Sequence, residues 1–255
     1  MQEIVIRSLN KLISDFMKKL RGFKWIQTSL SMILIPIGFI IWGLAASPGI
    51  FLFQEISNLT SSWENWQRAI ILGASLGIGA LLWCIFDLLI VGTLGLIIKP
   101  KLEDAKAPTE SLLTIRWGFL SIFHRLAQPA LKWMVPSFVG NIYYSMMGCK
   151  VGKGAQINSP HVNDCFMIEI GDRTVIGGAA SINGHLFERD GIHLSKVRIG
   201  SKVVIGSSAM INPGCTIGDG SVVASHAVLP KFTNIPPGEI WGGVPAKFIK
   251  KIERK

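Results

Sequence analysis

The chain has 255 residues, of which 49% are hydrophobic, and 26 lysines and arginines outnumber 16 aspartates and glutamates to give a formal net charge of +10. Much of the excess positive charge flanks long apolar runs and no nucleic-acid module is visible, so the charge is read as acting on membrane topology and acidic headgroups. Four widely spaced cysteines, Cys84, Cys149, Cys165 and Cys215, form neither a CxxC zinc pattern nor a disulfide framework, and no metal site is expected.

Residues 1–24 place Leu9, Leu12, Ile13, Phe16, Met17 and Leu20 at helical spacing with lysines and arginines between them, which predicts an amphipathic helix at a membrane interface. From Trp25 to Gln54 there is no charged residue, a run too long for a signal peptide, so a first transmembrane helix is expected over 25–53, with Pro36 and Gly38 as kink points. Residues 69–98 form a second run interrupted by Asp87 alone, and a second transmembrane helix is expected there, with Asp87 facing the inner headgroup layer.

Positive charge sets the orientation. Six Lys/Arg stand against two acids in residues 1–24, and Lys99, Lys101 and Lys106 follow the second run, whereas the connecting loop 54–68 has Arg68 against Glu55 and Glu64. Both termini are therefore expected in the cytoplasm, as for a multi-pass protein of a bacterial inner membrane. Residues 99–147 read as a membrane-proximal connector of short helices, in which His124 is expected to be solvated or headgroup-facing.

From about residue 148 the period changes. Ile170, Ile176, Ile182, Ile199, Ile205, Ile211, Ile217, Val223 and Leu229 mark a six-residue repeat with small residues four places later, a period that no helix or hairpin has. It predicts a left-handed parallel β-helix of roughly five coils over 148–246, giving a membrane α plus all-β fold class, followed by a basic tail over 247–255. Gly171, Gly177, Gly200, Gly206 and Gly218 directly follow aliphatic positions and are expected at corners. Val151 and Ile157 are out of phase by one residue, which implies a slip near 158–166. The larger interruption, 183–198, is expected to protrude as a loop with His185 at its root, and loops on regular scaffolds are where sites are built.

Gly184-His185-Leu186-Phe187, the repeats after the loop and the closing IPPGEIWGGVPAKFI make residues 149–250 resemble the hexapeptide-repeat acyltransferases, including the maltose and galactoside O-acetyltransferases. The longer match, through Arg116-Trp117, YYSMMGCKVG and GHLFE, is similar to one unit of the membrane-bound carboxy-terminal region of poly-lysine synthetases. The resemblance implies acyl transfer from a coenzyme A or phosphopantetheine-carrier thioester to a hydroxyl or amine. His185 would be the general base, because a hydroxyl or protonated amine is a poor nucleophile at neutral pH. Glu188 is expected to orient the imidazole, and Asn183 to be either an oxyanion donor or a turn residue. The resemblance places the pantetheine arm near Ser207, Ser225 and Lys247, with no tightly bound cofactor. It also implies a homotrimer with sites between neighbouring β-helices, and an acyl-carrier or peptide-synthetase partner as one source of donor. The competing readings are a non-catalytic membrane scaffold and a γ-class carbonic anhydrase, the latter disfavoured because His185, His193 and His226 lack tight ligand spacing.

Overall fold

The structure is a computed structural model that describes residues 2–98 and 102–253, with side chains described from residue 22 onward except Gln27. The expected apolar face of residues 9–20 and the basic residues Lys99, Lys101, Arg254 and Lys255 lie outside what is described.

Two long helices come first: α1 over Gln2–Leu59 and α2 over Asn65–Ile98. The interfacial and spanning segments expected as separate elements are one continuous helix, through Pro36 and Pro48. At the contact between α1 and α2, two glycines bring the backbones together: a Cβ on Gly49 would lie 2.7 Å from Gly79 Cα. Glycines, which carry no Cβ, permit this approach. Asp87 does not face a headgroup layer. It is fully buried, and neither carboxylate oxygen has a hydrogen-bond partner among the described residues.

The connector is more ordered than a series of short helices. Helix α3, Leu112–Met134, runs through Pro129, and Ser111 caps it by accepting from Thr114 N at 3.2 Å; helix α4 covers Phe138–Met146. Trp42 Nε1 donates to Leu126 O at 3.1 Å and ties α1 to α3. Three donors then fasten the connector to the first coil: Asn141 Nδ2 to Ala155 O at 2.9 Å, Tyr144 Oη to Ser159 O at 2.8 Å and Gln128 Nε2 to Pro160 O at 2.8 Å. The opening coil of a stacked sheet exposes unpaired backbone groups, and these side chains satisfy several of them.

Residues 150–251 wind through three parallel sheets of two- and three-residue strands, each turn of chain adding one strand per sheet, the arrangement of a β-helix. The faces are led by 150–151, 156–157 and 162–163, and the second is closed by an antiparallel pair, Glu239–Gly243 with Ala246–Lys251. Register stacks like on like: Ile170 on Ile199 on Ile217 on Ile235, and Ile176 on Ile205 on Val223, all buried. The corner glycines are required by close approach rather than by backbone angle. A Cβ on Gly206 would sit 2.3 Å from Ser225 N in the next coil, while the left-handed φ values fall on other corner residues such as Lys202, Ser208 and His226.

The phase slip has a structural cause. Five residues instead of six separate Ile157 from Val162, and the next corner is lengthened by a 3₁₀ turn, Cys165–Met167. The interruption at 183–198 is not an irregular loop. It is a β-hairpin, His185–Glu188 paired with Gly191–Leu194, extended by an edge strand, Ala105–Ala107, that sequence reading assigned to the connector.

Gly49→Leu is expected to push α1 and α2 apart and destabilise the protein by about 1–3 kcal/mol. Gly43→Leu, whose Cβ would meet nothing within 4 Å, serves as the control. Thermal midpoints of the two variants in detergent check this: a marked drop for the first and little change for the second.

Candidate functional site

The site forms where the connector meets the corner between the third and first faces of the β-helix. His185 begins the hairpin, and its Nδ1 lies 2.5 Å from Asp164 Oδ2. Asp164 stands in the equivalent corner one coil earlier, in the left-handed region at φ 58°. Its carboxylate, 2% exposed, also accepts from Gly184 N at 3.1 Å and from Trp117 Nε1 at 2.7 Å. Three donors, one on α3 and two where the hairpin begins, satisfy a carboxylate that burial would otherwise leave at high cost. Trp117 further packs its ring 4.3 Å from the imidazole, centroid to centroid, and Phe187 meets the indole edge to face at 5.2 Å.

With Nδ1 engaged by a carboxylate, the neutral ring carries its proton on Nδ1 and its lone pair on Nε2. Nε2 has no partner among the described residues, and His185 lines a cavity of about 300 Å³ with Trp117, Ser121, His124, Arg125, Asn163 and Asn183. A bound group that presents a proton to Nε2 would meet a base already held in one tautomer and one orientation.

Sequence reasoning placed some of these residues and missed others. Asn183 shares the cavity with His185; its Oδ1 accepts from Asn163 Nδ2 at 2.9 Å and from Ser181 Oγ at 3.1 Å, and its Nδ2 reaches Ile211 O at 3.5 Å. Glu188 does not orient His185. Three residues along a strand, it points to the opposite face and pairs with Lys231 Nζ at 2.6 Å and with His193 Nε2 at 3.2 Å. The Lys231 ammonium holds its carboxyl below the ordinary range. Ser207 and Ser225 are exposed on the corner between the second and third faces, Lys247 is exposed on the closing pair, and none lines the cavity. His226 is exposed at a corner, as expected. His193 bridges Glu188 and Asp190, whose ligand atoms lie within 4.8 Å of one another, but Lys231 and Lys106 already pair with the two carboxylates.

The missed residues are Trp117 and Asp164. Trp117 was visible only as part of an Arg-Trp pair in an aromatic segment, and Asp164 lay inside the phase slip, where the repeat gives no register.

His124 is not solvated. It is buried, its Nε2 accepts from Gln128 Nε2 at 2.8 Å, and its Nδ1 donates to Tyr143 Oη at 3.0 Å, a pattern that fits neutral imidazole. Burial pushes its pKa down to about 4. Cys165, also in the cavity wall, is a buried free thiol whose pKa burial drives well above the ordinary value, so it offers no thiolate nucleophile.

The family model for the bacterial transferase hexapeptide (six repeats) matches residues 196–231, the coils after the hairpin. Those coils carry the repeat of the hexapeptide-repeat acyltransferases. Delta-poly-L-ornithine synthetase of Acinetobacter baumannii (strain AB307-0294) is 23% identical over 205 residues, covering 80% of this chain, which spans only 15% of that much longer protein. Among solved structures, a maltose O-acetyltransferase from Clostridium difficile 630 is 21% identical at TM-score 0.47, covering 59% of this chain and 94% of its own. A galactoside acetyltransferase in complex with coenzyme A is 24% identical at TM-score 0.38, covering 51% of this chain and 81% of its own.

The buried neutral state of His124 links stability to pH. Its pKa in the folded chain lies below the unfolded value of ~6.5, so the unfolded state takes up a proton first as pH falls. The contribution is fully present above pH 6.5 and is lost towards pH 4, on the order of 3 kcal/mol in all. Thermal midpoints of the wild type and His124→Gln are expected to converge between pH 7 and pH 4.5; a constant gap would show that His124 titrates normally.

Proposed function

We propose that the chain is a membrane-anchored acyltransferase in which His185 is the general base for transfer from a coenzyme A or phosphopantetheine-carrier thioester to a hydroxyl or amine. The observation that carries this reading is the Trp117–Asp164–His185 array, which leaves Nε2 facing a polar cavity. The acceptor's proton passes to Nε2 as its oxygen or nitrogen attacks the thioester carbonyl. The tetrahedral oxyanion is met by a polar donor, a role for which Asn183 Nδ2 stands in the cavity wall. Collapse breaks the carbon–sulfur bond, and the imidazolium returns its proton to the departing thiolate. Asp164 supports the transient imidazolium, as a carboxylate does in hydrolytic triads.

Membrane anchoring rests on two helices with outward apolar side chains, among them Phe39, Phe51, Leu76 and Ile97. Only 22% and 33% of their most apolar windows are buried, whereas a soluble core helix is buried over most of its length. The charge pattern supports cytoplasmic termini and a cytoplasmic β-helix, which we read as left-handed. Exposure of Ser207, Ser225 and Lys247 away from the His185 cavity fits a homotrimer in which a second copy completes the donor groove. Similarity to part of a poly-ornithine synthetase makes amines, ornithine included, the first acceptors to assay, with a carrier or synthetase protein as one donor source.

The test is thiol release from acetyl-CoA by the full chain in detergent, with a panel of amine and hydroxyl acceptors. His185→Ala and Asp164→Asn are each expected to lower kcat by on the order of 10²–10⁴-fold, with KM little changed and the thermal transition retained. Undiminished release by His185→Ala would remove the base and leave the scaffold reading.

A further inference from the structure

A second cavity, of about 290 Å³, lies beside the catalytic one and is walled by Phe23, Leu30 and Leu34 of α1, Ile115 and Ile122 of α3, and Phe187 of the hairpin. Trp117 lines both cavities. The indole that donates to Asp164 and packs on the imidazole is therefore also the partition between the two spaces. Among the described residues no charged side chain lines the second cavity, and its polar members are the hydroxyl residues Ser31, Thr109 and Thr114. Such a lining suits hydrocarbon and disfavours a phosphate, a sugar or the adenine end of coenzyme A.

We infer that this slot holds the hydrocarbon tail of an amphiphilic acceptor, whose hydroxyl or amine headgroup reaches the polar cavity at His185. Two placements argue for a tail rather than a soluble apolar ligand. The α1 residues in the wall belong to the apolar segment Gly22–Leu59, so one wall of the slot is the helix proposed to enter the bilayer. Phe187 stands 42% exposed next to the slot's Trp117 wall, an aromatic edge that a passing alkyl chain would cover. The inference deepens the acyltransferase reading and rests on it for the headgroup chemistry, while tail binding is measurable without catalysis. Each methylene taken from water into such a slot favours binding, so long chains should dominate over short ones.

Gly118 supplies a clean probe. It lines the slot, and a Cβ added there would meet nothing within 4 Å, so Gly118→Leu fills the space without displacing backbone. The experiment uses the full chain in lipid nanodiscs with a dodecylamine bearing a terminal diazirine, irradiated without any acyl-CoA and mapped by peptide mass spectrometry. Label is expected on the α3 segment 114–122 and on the hairpin around Phe187. Gly118→Leu should reduce it at least five-fold, while label on outward residues of α2 such as Leu76 stays unchanged. His185→Ala should label as the wild type does, which separates tail binding from transfer. Label confined to α1 and α2, or equal hairpin label in Gly118→Leu, would overturn the slot and leave the acyltransferase reading standing. Slot label in a protein that releases no thiol in the assay above would support the slot and count against that reading.

Discussion

The buried carboxylate of Asp164 is the constraint on which the site depends. It accepts from an indole on α3, from a backbone N–H at the end of the second coil and from the imidazole that begins the hairpin. None of these donors is near Asp164 in sequence, and each belongs to an element that packs for other reasons. Hydrogen bonds to a charged group contribute roughly 1.5–3 kcal/mol each, so the array fixes the angle of α3 against the coils as well as the imidazole. The left-handed corner that presents Asp164 is the same corner conformation used by Arg173, Lys202 and Ser208. The β-helix thus supplies the backbone geometry of the site as part of its ordinary winding.

The connector gives this arrangement its meaning for a protein with long apolar helices. Trp42 fastens α1 to α3, and Gln128, Asn141 and Tyr144 fasten α3 and α4 to the first coil. Movement of α1 would consequently be felt at Trp117, within one helix of the imidazole. The hairpin is held from both sides, by the edge strand Ala105–Ala107 and by the Glu188–Lys231 pair two coils further on. A hairpin restrained in this way can carry His185 and Phe187 on one face with little freedom to swing.

The period of six made the coiled part of the fold readable, because every buried aliphatic from Ile170 to Leu229 repeats a steric demand that the neighbouring coil also makes. His185 was readable for a related reason: an array that breaks must put the excess chain somewhere, and the break marks the exit. Asp164 was hidden because shortening one corner and lengthening the next erased the phase around it. Glu188 was chosen as the orienting acid by closeness in sequence, and strand alternation sends it to the other face. Asp87 and His124 were assigned to water or headgroups because polar residues usually go there. Their burial comes from packing among α2, α3 and α4, which no local pattern encodes. Trp117 shows the same limit, since one aromatic among many in the connector carries no mark of the carboxylate it serves.

The central claim is that Asp164 fixes the His185 imidazole as the Nδ1–H tautomer with Nε2 unprotonated and open to the cavity. Nitrogen-15 NMR of histidine-labelled protein, with His185 assigned by difference against a variant lacking it, reads this directly at neutral pH. The fixed tautomer gives a protonated Nδ1 hydrogen-bonded to carboxylate and a bare Nε2. A proton resident on Nε2, or a His185 signal indifferent to loss of the Asp164 carboxylate, would contradict it.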